Sequence, residues 1–147
     1  MFKHILVPTD GSDLSRSASE RAVAFAKSIG AKITFFYAQP DFPLPVYGEG
    51  ALIDPTTPDQ FRRAAKEEAD RILAEAKAMA EKENVPCDTD TVVSDTPWEA
   101  IIDCAQRHGC DLIFMASHGR RGLAGLLLGS ETQKVLTHSK LPVLVYR

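Results

Sequence analysis

What most constrains the fold of this chain is a repeated alternation. Short runs rich in β-branched and aromatic residues are separated by longer stretches with helical spacing and signed ends. Ile5-Leu6-Val7 reads as a first strand, ended by Pro8-Thr9-Asp10-Gly11. Ser12 to about Ile29 reads as a helix with Leu14, Ala18, Ala22, Phe25 and Ala26 on one face and Gly30 as its stop. Lys32 to Ala38 is a second strand. Three later segments carry one helix-start pattern, a hydroxyl residue followed three places on by Glu or Gln: Thr57-Pro58-Asp59-Gln60, Thr96-Pro97-Trp98-Glu99 and Ser130-Glu131-Thr132-Gln133. They predict a helix from Pro58 to about Glu83, with Phe61, Ala65, Ile72, Ala76 and Met79 inward, and one from Pro97 to about His108, stopped by Gly109. A last helix runs from Ser130 to before Pro142.

The remaining strands are Cys87 to Val93, Leu112 to Met115 and Val143 to Tyr146. Asp88 and Asp90 share one face of the first, which suits a sheet edge. The second is apolar throughout, as a strand covered on both faces should be. This βαβαβαβαβ order predicts one α/β domain over residues 1–147, a mostly parallel sheet with helices on both faces. Residues 39–57 form a long connection carrying Pro40, Pro43, Pro45 and Pro55; a connection of that length is either a functional loop or a surface flap.

Composition narrows the function classes. A net charge of −3 without any Lys/Arg block gives no expectation of nucleic-acid binding. Apolar runs fall far short of the roughly 18 residues that a membrane span needs, and the N-terminal residues do not resemble a signal peptide. Cys87, Cys104 and Cys110 form no Cys-x-x-Cys and read as reduced, buried thiols. A cytoplasmic protein is expected.

In open α/β sheets, ligands bind beyond the carboxyl ends of the strands, where strand order reverses. The turns after the first and fourth strands, Pro8 to Asp13 and Ala116 to Ser130, are the richest in Gly, Ser and Asp. In the later turn, Gly119, Gly122 and Gly125 are followed by Gly129 and Ser130. Backbone N–H groups here and at the start of the next helix suit an anion such as phosphate, with Arg120 and Arg121 nearby. The spacing suits equally a loop before an ordinary helix capped by Ser130. In the earlier turn, Asp10 could accept hydrogen bonds from a ribose or an adenine amino group, or could stabilise the turn itself.

No P-loop and no G-x-G-x-x-G is present. His4, His108, His118 and His138 are dispersed, and no spacing suggests a metal site. Ser117 and His118 are not expected to form a catalytic dyad, since adjacent side chains of an extended segment diverge.

The whole length resembles the universal stress protein family. The resemblance rests on Ile5-Leu6-Val7-Pro8-Thr9-Asp10-Gly11-Ser12, Ser117-His118-Gly119-Arg120, Leu127-Leu128-Gly129-Ser130 and Leu141-Pro142-Val143-Leu144-Val145. It implies a five-stranded parallel sheet of order 3-2-1-4-5, adenine nucleotide alpha hydrolase-like, with the two turns flanking one crevice. ATP-binding members carry Gly, two residues, Gly, nine residues, then Gly with Ser or Thr; the matching positions here are Ala116, Gly119, Gly129 and Ser130. By that resemblance Gly119, Gly129, Ser130 and Glu131 would hold the phosphates of ATP, with Mg2+ bridging them. Pro8, Thr9 and Asp10 would line adenine and ribose, Ala38 would abut the adenine, and Met115 would pack near the nucleoside. Ala116 adds one methyl group where those members have glycine. At negative φ that costs little, and at positive φ about 1 kcal/mol or more.

The resemblance also implies a homodimer formed through Val143 to Tyr146, acting in stress response. The expected protein is a nucleotide-binding regulator rather than an enzyme, with at most slow ATP hydrolysis. The alternative is a structural stress protein with no nucleotide, acting through dimerisation. A hydrolase-type nucleotide enzyme would want a Ser-Gly-Gly-like first turn, which Thr9-Asp10-Gly11-Ser12 is not. A phospho-receiver, with Asp10, Asp95 and Ser117 as its acidic and hydroxyl positions, would want Lys-Pro after the last strand, but Lys140 and Pro142 precede it.

Overall fold

A computed structural model describes residues 1–42, 57–120 and 128–147. Arg121, Gly122, Gly125, Leu127, Pro43, Pro45 and Pro55 of the sequence reading lie outside the described residues. The elements follow in the order β1 (His4–Pro8), α1 (Asp13–Ile29), β2 (Lys32–Gln39), α2 (Pro58–Lys82), β3 (Cys87–Val93), α3 (Pro97–Arg107), β4 (Leu112–Ala116), α4 (Ser130–His138) and β5 (Val143–Tyr146). All strand pairs are parallel, in the sheet order β3-β2-β1-β4-β5. The chain builds outward from β1 to β3, then returns to lay β4 against the other side of β1, with Ile5 opposite Leu112 and Leu6 opposite Ile113. The strand order therefore reverses between β1 and β4.

Alternation along the strands splits the core in two. Ile5, Val7, Ile33, Phe35, Leu112 and Phe114 face α1 and α2, packing on Ala18, Ala22 and Ala26 of α1 and on Ile72 and Ala76 of α2. Leu6, Phe36, Ile113 and Met115 face the other way, against Ile101 and Cys104 of α3 and Val135 of α4. The small residues of α1 let its backbone approach the sheet closely. On α2 the buried positions are Ala69, Ile72, Leu73, Ala76 and Ala80. Phe61 and Ala65 are only half-buried, so the inward face includes Leu73 and starts later than periodicity suggests. β3 is a sheet edge as expected, and its side chains are half-buried or exposed.

Of the three matching helix starts, one forms as written. Thr57 accepts from the Gln60 N–H, and the Gln60 side chain accepts from the Thr57 N–H, a complete capping box. Thr96 does not cap α3. Its backbone, at φ −119° and ψ 75°, turns the hydroxyl toward Ser94 Oγ, 3.2 Å away. Ser130 is not a cap either: Gly129 takes that position and Ser130 is the first residue of α4. Ser12 does cap α1, accepting from the Ser15 N–H at 3.2 Å, and Gly30 closes α1 at φ +70°.

Cys104 and Cys110 are buried, Cys87 is half-buried, and all three thiols are free. Burial pushes Cys104 up to about 12, assisted by the neighbouring Asp90 carboxylate, and Cys110 up to about 11. No helix among the described residues is long and apolar enough to cross a membrane.

Candidate functional site

Because β1 and β4 are neighbours and parallel, the turns that leave them emerge side by side. Their contact is made by Asp10. One carboxylate oxygen accepts from the Ser12 N–H at 2.9 Å, closing its own turn, and the other accepts from the Arg120 N–H across the crevice at 3.0 Å. The Asp10 N–H donates to Ser15 Oγ at 3.1 Å, and Ser15 Oγ–H donates to Thr9 Oγ1 at 2.9 Å. Thr9 is buried, and its N–H reaches the Phe36 carbonyl at 2.8 Å. Gly11 turns the chain at φ +78°.

Two glycines of the β4 turn are set by close packing rather than by a positive φ. A Cβ on Gly119 would overlap the Asp10 carboxylate. A Cβ on Gly129 would lie 3.1 Å from both Cα and Cβ of His118. The Gly129 N–H donates to the Ser117 carbonyl at 2.7 Å, which draws the start of α4 onto the end of β4. The first N–H groups of α4 have no intrahelical acceptor by construction, and among the described residues no side chain caps them. Ser130, the first helical residue, is exposed. The positive end of the helix dipole thus opens at the crevice.

Ala116 is the last residue of β4, opposite Tyr146 of β5. Among the described residues only Asn84 is a non-glycine at positive φ, so Ala116 carries no left-handed strain. Its methyl packs into the α1/α2 core, and its carbonyl accepts from the Thr132 hydroxyl at 3.0 Å. Pro8, at the end of β1, and Ala38 and Met115, each one residue before the end of β2 and β4, lie on the α3/α4 face of three adjacent strands, by the alternation of those strands. Pro8 and Ala38 are half-buried and form an apolar shelf. Met115 is buried beneath it in the α3/α4 core. The Glu131 carboxylate accepts the Trp98 N–H at 2.9 Å and so serves the first turn of α3, which leaves its backbone N–H, the group expected at the phosphates, in the first turn of α4.

Charge is distributed unevenly around the opening. The Arg120 guanidinium pairs with Glu68 of α2 at 3.1 Å. Glu68 also bonds Arg71, and these two guanidinium groups, Arg71 first, hold its carboxyl down at about 2. Burial raises the Tyr37 hydroxyl above its ordinary value. Ser117 Oγ and His118 Nδ1 lie 3.2 Å apart, where divergence was expected; Ser117 sits in a bend, so strand alternation does not reach it.

Sequence reasoning missed two features. One is the clasp from Asp10 to Arg120 and Glu68, which depends on which strands become neighbours. The other is a cluster of Asp90, Cys104 and His108 at the far end of α3. Cys104 and His108 are four residues apart in a helix, so the spacing alone could have flagged that pair.

Comparison with known proteins agrees with the fold. The profile of the universal stress protein family matches residues 1–147. A universal stress protein of Thermus aquaticus, encoded 3' of a QAH/OAS sulfhydrylase, is 35% identical over 147 residues, covering all of both chains. Among solved structures, that of MJ0577 from Methanocaldococcus jannaschii superposes with a TM-score of 0.80 at 29% identity, covering 99% of this chain and 95% of that one. A universal stress protein solved in complex with cAMP superposes with a TM-score of 0.72 at 28% identity, covering 99% and 97%. With the profile spanning every residue and the strand order shared, this chain belongs to the universal stress protein family.

Proposed function

We propose that this protein binds ATP in the crevice between the β1 and β4 turns. The observation that carries the reading is the start of α4, which no side chain among the described residues caps, held against the β1 turn by the close packing of Gly119 on Asp10 and of Gly129 on His118. Backbone N–H groups and a helix dipole without a capping side chain are what a phosphate group requires. Gly119, Gly129, Ser130 and the Glu131 N–H would take the phosphates. Thr9 and Asp10 would face the ribose, and the base would lie along Pro8 and Ala38 with Met115 below. Mg2+ would arrive with the nucleotide and offset the repulsion between its phosphates and the Asp10 carboxylate. The unstrained backbone of Ala116 supports the reading, since its methyl is directed into the core. The cAMP complex of a relative at 28% identity supports an adenine nucleotide as the ligand class.

On this reading the chain is a cytoplasmic nucleotide-linked regulator of the stress response, a homodimer through β5, and a binder rather than an enzyme. His118 is engaged with Ser117, and the Asp10 carboxylate is committed to two N–H groups, so neither is poised to activate water. Any hydrolysis should be slow.

The test is the melting temperature with and without Mg·ATP. Ligand at 100 times its Kd adds about 2.7 kcal/mol, several degrees for a chain of this size. No shift at millimolar ATP overturns the nucleotide reading in favour of a structural dimer. Ser130→Asp is the discriminating variant. An acid in the first turn favours the helix dipole, so the nucleotide-free protein should melt no lower. The same charge repels phosphate, and the ATP shift should vanish.

A further inference from the structure

At the opposite end of α3 from the crevice, three side chains with metal-binding atoms converge. Cys104 and His108 lie one turn apart on the same face of α3, and Asp90 reaches them from the edge strand β3. Asp90 Oδ2 is 2.9 Å from His108 Nε2 and 3.6 Å from Cys104 Sγ, and all three ligand atoms lie within 4.8 Å of one another. Tetrahedral zinc, with bonds of about 2.0 Å to oxygen and nitrogen and about 2.3 Å to sulfur, sets ligand-to-ligand edges of roughly 3.3–3.6 Å. The two distances to Asp90 fit that triangle with adjustments of a few tenths of an ångström.

We propose that Asp90, Cys104 and His108 form a zinc site, distinct from the nucleotide crevice, with its fourth position open to solvent. One sulfur, one imidazole nitrogen and one carboxylate oxygen make a donor set that favours zinc over calcium or magnesium. Cys104 is fully buried, whereas the side chains of Asp90 and His108 are 22% and 29% exposed, so the ion would be sealed on the sheet side and wet on the other. One outer partner is already in place. The other Asp90 oxygen accepts from the Thr91 N–H at 2.8 Å, a bond of the kind that orients a ligating carboxylate. The Arg107 guanidinium, braced by Asp103, donates to the ligating Asp90 Oδ2 at 3.0 Å.

Coordination replaces the Sγ–H and ring N–H donations to Asp90 Oδ2. The thiol proton leaves to solvent, and His108 binds through Nε2 as the neutral ring. One Zn2+ then balances the charges of one thiolate and one carboxylate. Arg107 competes with the metal for the same oxygen, so removing its charge should strengthen binding.

The experiment uses the full chain, stripped of metal by chelator and dialysis. Zinc is titrated calorimetrically and Co2+ by absorption. One ion per chain is expected, with a thiolate-to-cobalt charge-transfer band in the near ultraviolet that zinc abolishes. Cys104→Ala should eliminate the band, His108→Gln should weaken zinc binding at least tenfold, Arg107→Gln should tighten it, and Cys87→Ala should change neither. His108 lies on the exposed rim, so its variant tests the site even where Cys104→Ala fails to fold. The absence of a cobalt band, or zinc affinity unchanged in His108→Gln, overturns the proposal and leaves the cluster as an ion-paired brace between β3 and α3.

Discussion

Asp10 shows how one side chain can hold two loops. Each of its oxygens takes a backbone N–H, from Ser12 and from Arg120, and the Arg120 side chain continues the link to Glu68. The clasp predicts an acid titration that can be observed directly. Glu68, with an ordinary value of 4.5, is held at about 2 by Arg71 and then Arg120. A carboxyl depressed on folding contributes stability that is complete above the unfolded value and is lost as pH falls through the folded one. The contribution should therefore fade between about pH 4.5 and pH 2. Carbon-detected NMR of the Glu68 carboxyl should give a midpoint near 2, raised by Arg71→Gln and by salt, because the side chain is 36% exposed. A midpoint at 4.5 would mean that the pairs do not persist in solution. The residue scale is also where the sequence was partly legible. Glycine at 119 and 129 signals close approach, but Ala116 could be strained or relaxed until its place at the end of β4 was known. The partner of Asp10 depends on β1 and β4 being neighbours, and no local pattern encodes that.

Helix starts are the least legible elements, although their sequence pattern is the clearest. Thr57, Thr96 and Ser130 head near-identical motifs, yet only Thr57 caps its helix. The difference is tertiary. The first turn of α3 begins with Pro97, which has no N–H, and the next N–H, from Trp98, is taken by Glu131 of α4. The cap of α3 is supplied from a helix 33 residues away, so the local hydroxyl is left to Ser94. Tertiary packing reinforces the exchange, with Trp98 stacked on His138 at 4.6 Å between ring centroids. This inverts what the motif alone would predict. Thr57→Ala should cost about 1 kcal/mol, the usual loss for a removed cap, and Thr96→Ala a few tenths or less. Glu131→Ala should destabilise through α3 rather than α4, by about 1–2 kcal/mol for a charged bond to a backbone N–H. Urea denaturation of the three variants would rank them, and equal losses for Thr57→Ala and Thr96→Ala would refute the assignment. Strand positions, by contrast, were readable almost to the residue, because two-sided burial leaves an unbroken apolar run in β4 and one-sided exposure leaves aspartates in β3.

At the scale of the molecule, the parallel sheet could be read from alternation, whereas the strand order and the fate of the last edge came only with the family resemblance. Among the described residues β5 is paired on one side only, with β4, and its four residues are all half-buried. Hydrogen bonds identify the groups that remain. The carbonyls of Pro142 and Tyr146 accept from Ile113 of β4 and from Ser117 just past its end, at 3.0 and 2.7 Å. In a parallel strand the residues that bond one neighbour alternate with those that face the other way. Val143 and Val145 therefore turn their N–H and C=O groups outward, an unpaired edge on a strand of apolar residues. In the proposed homodimer this edge meets its copy. Val145→Pro separates the dimer from the fold, since proline removes an outward N–H without touching the ladder to β4, the one context in which strands tolerate it. Sedimentation should show a dimer for the parent chain and a monomer for Val145→Pro, with the far-ultraviolet circular dichroism unchanged. A variant that stays dimeric would place the interface elsewhere, and the exposed Leu136 of α4 would be the next position to substitute.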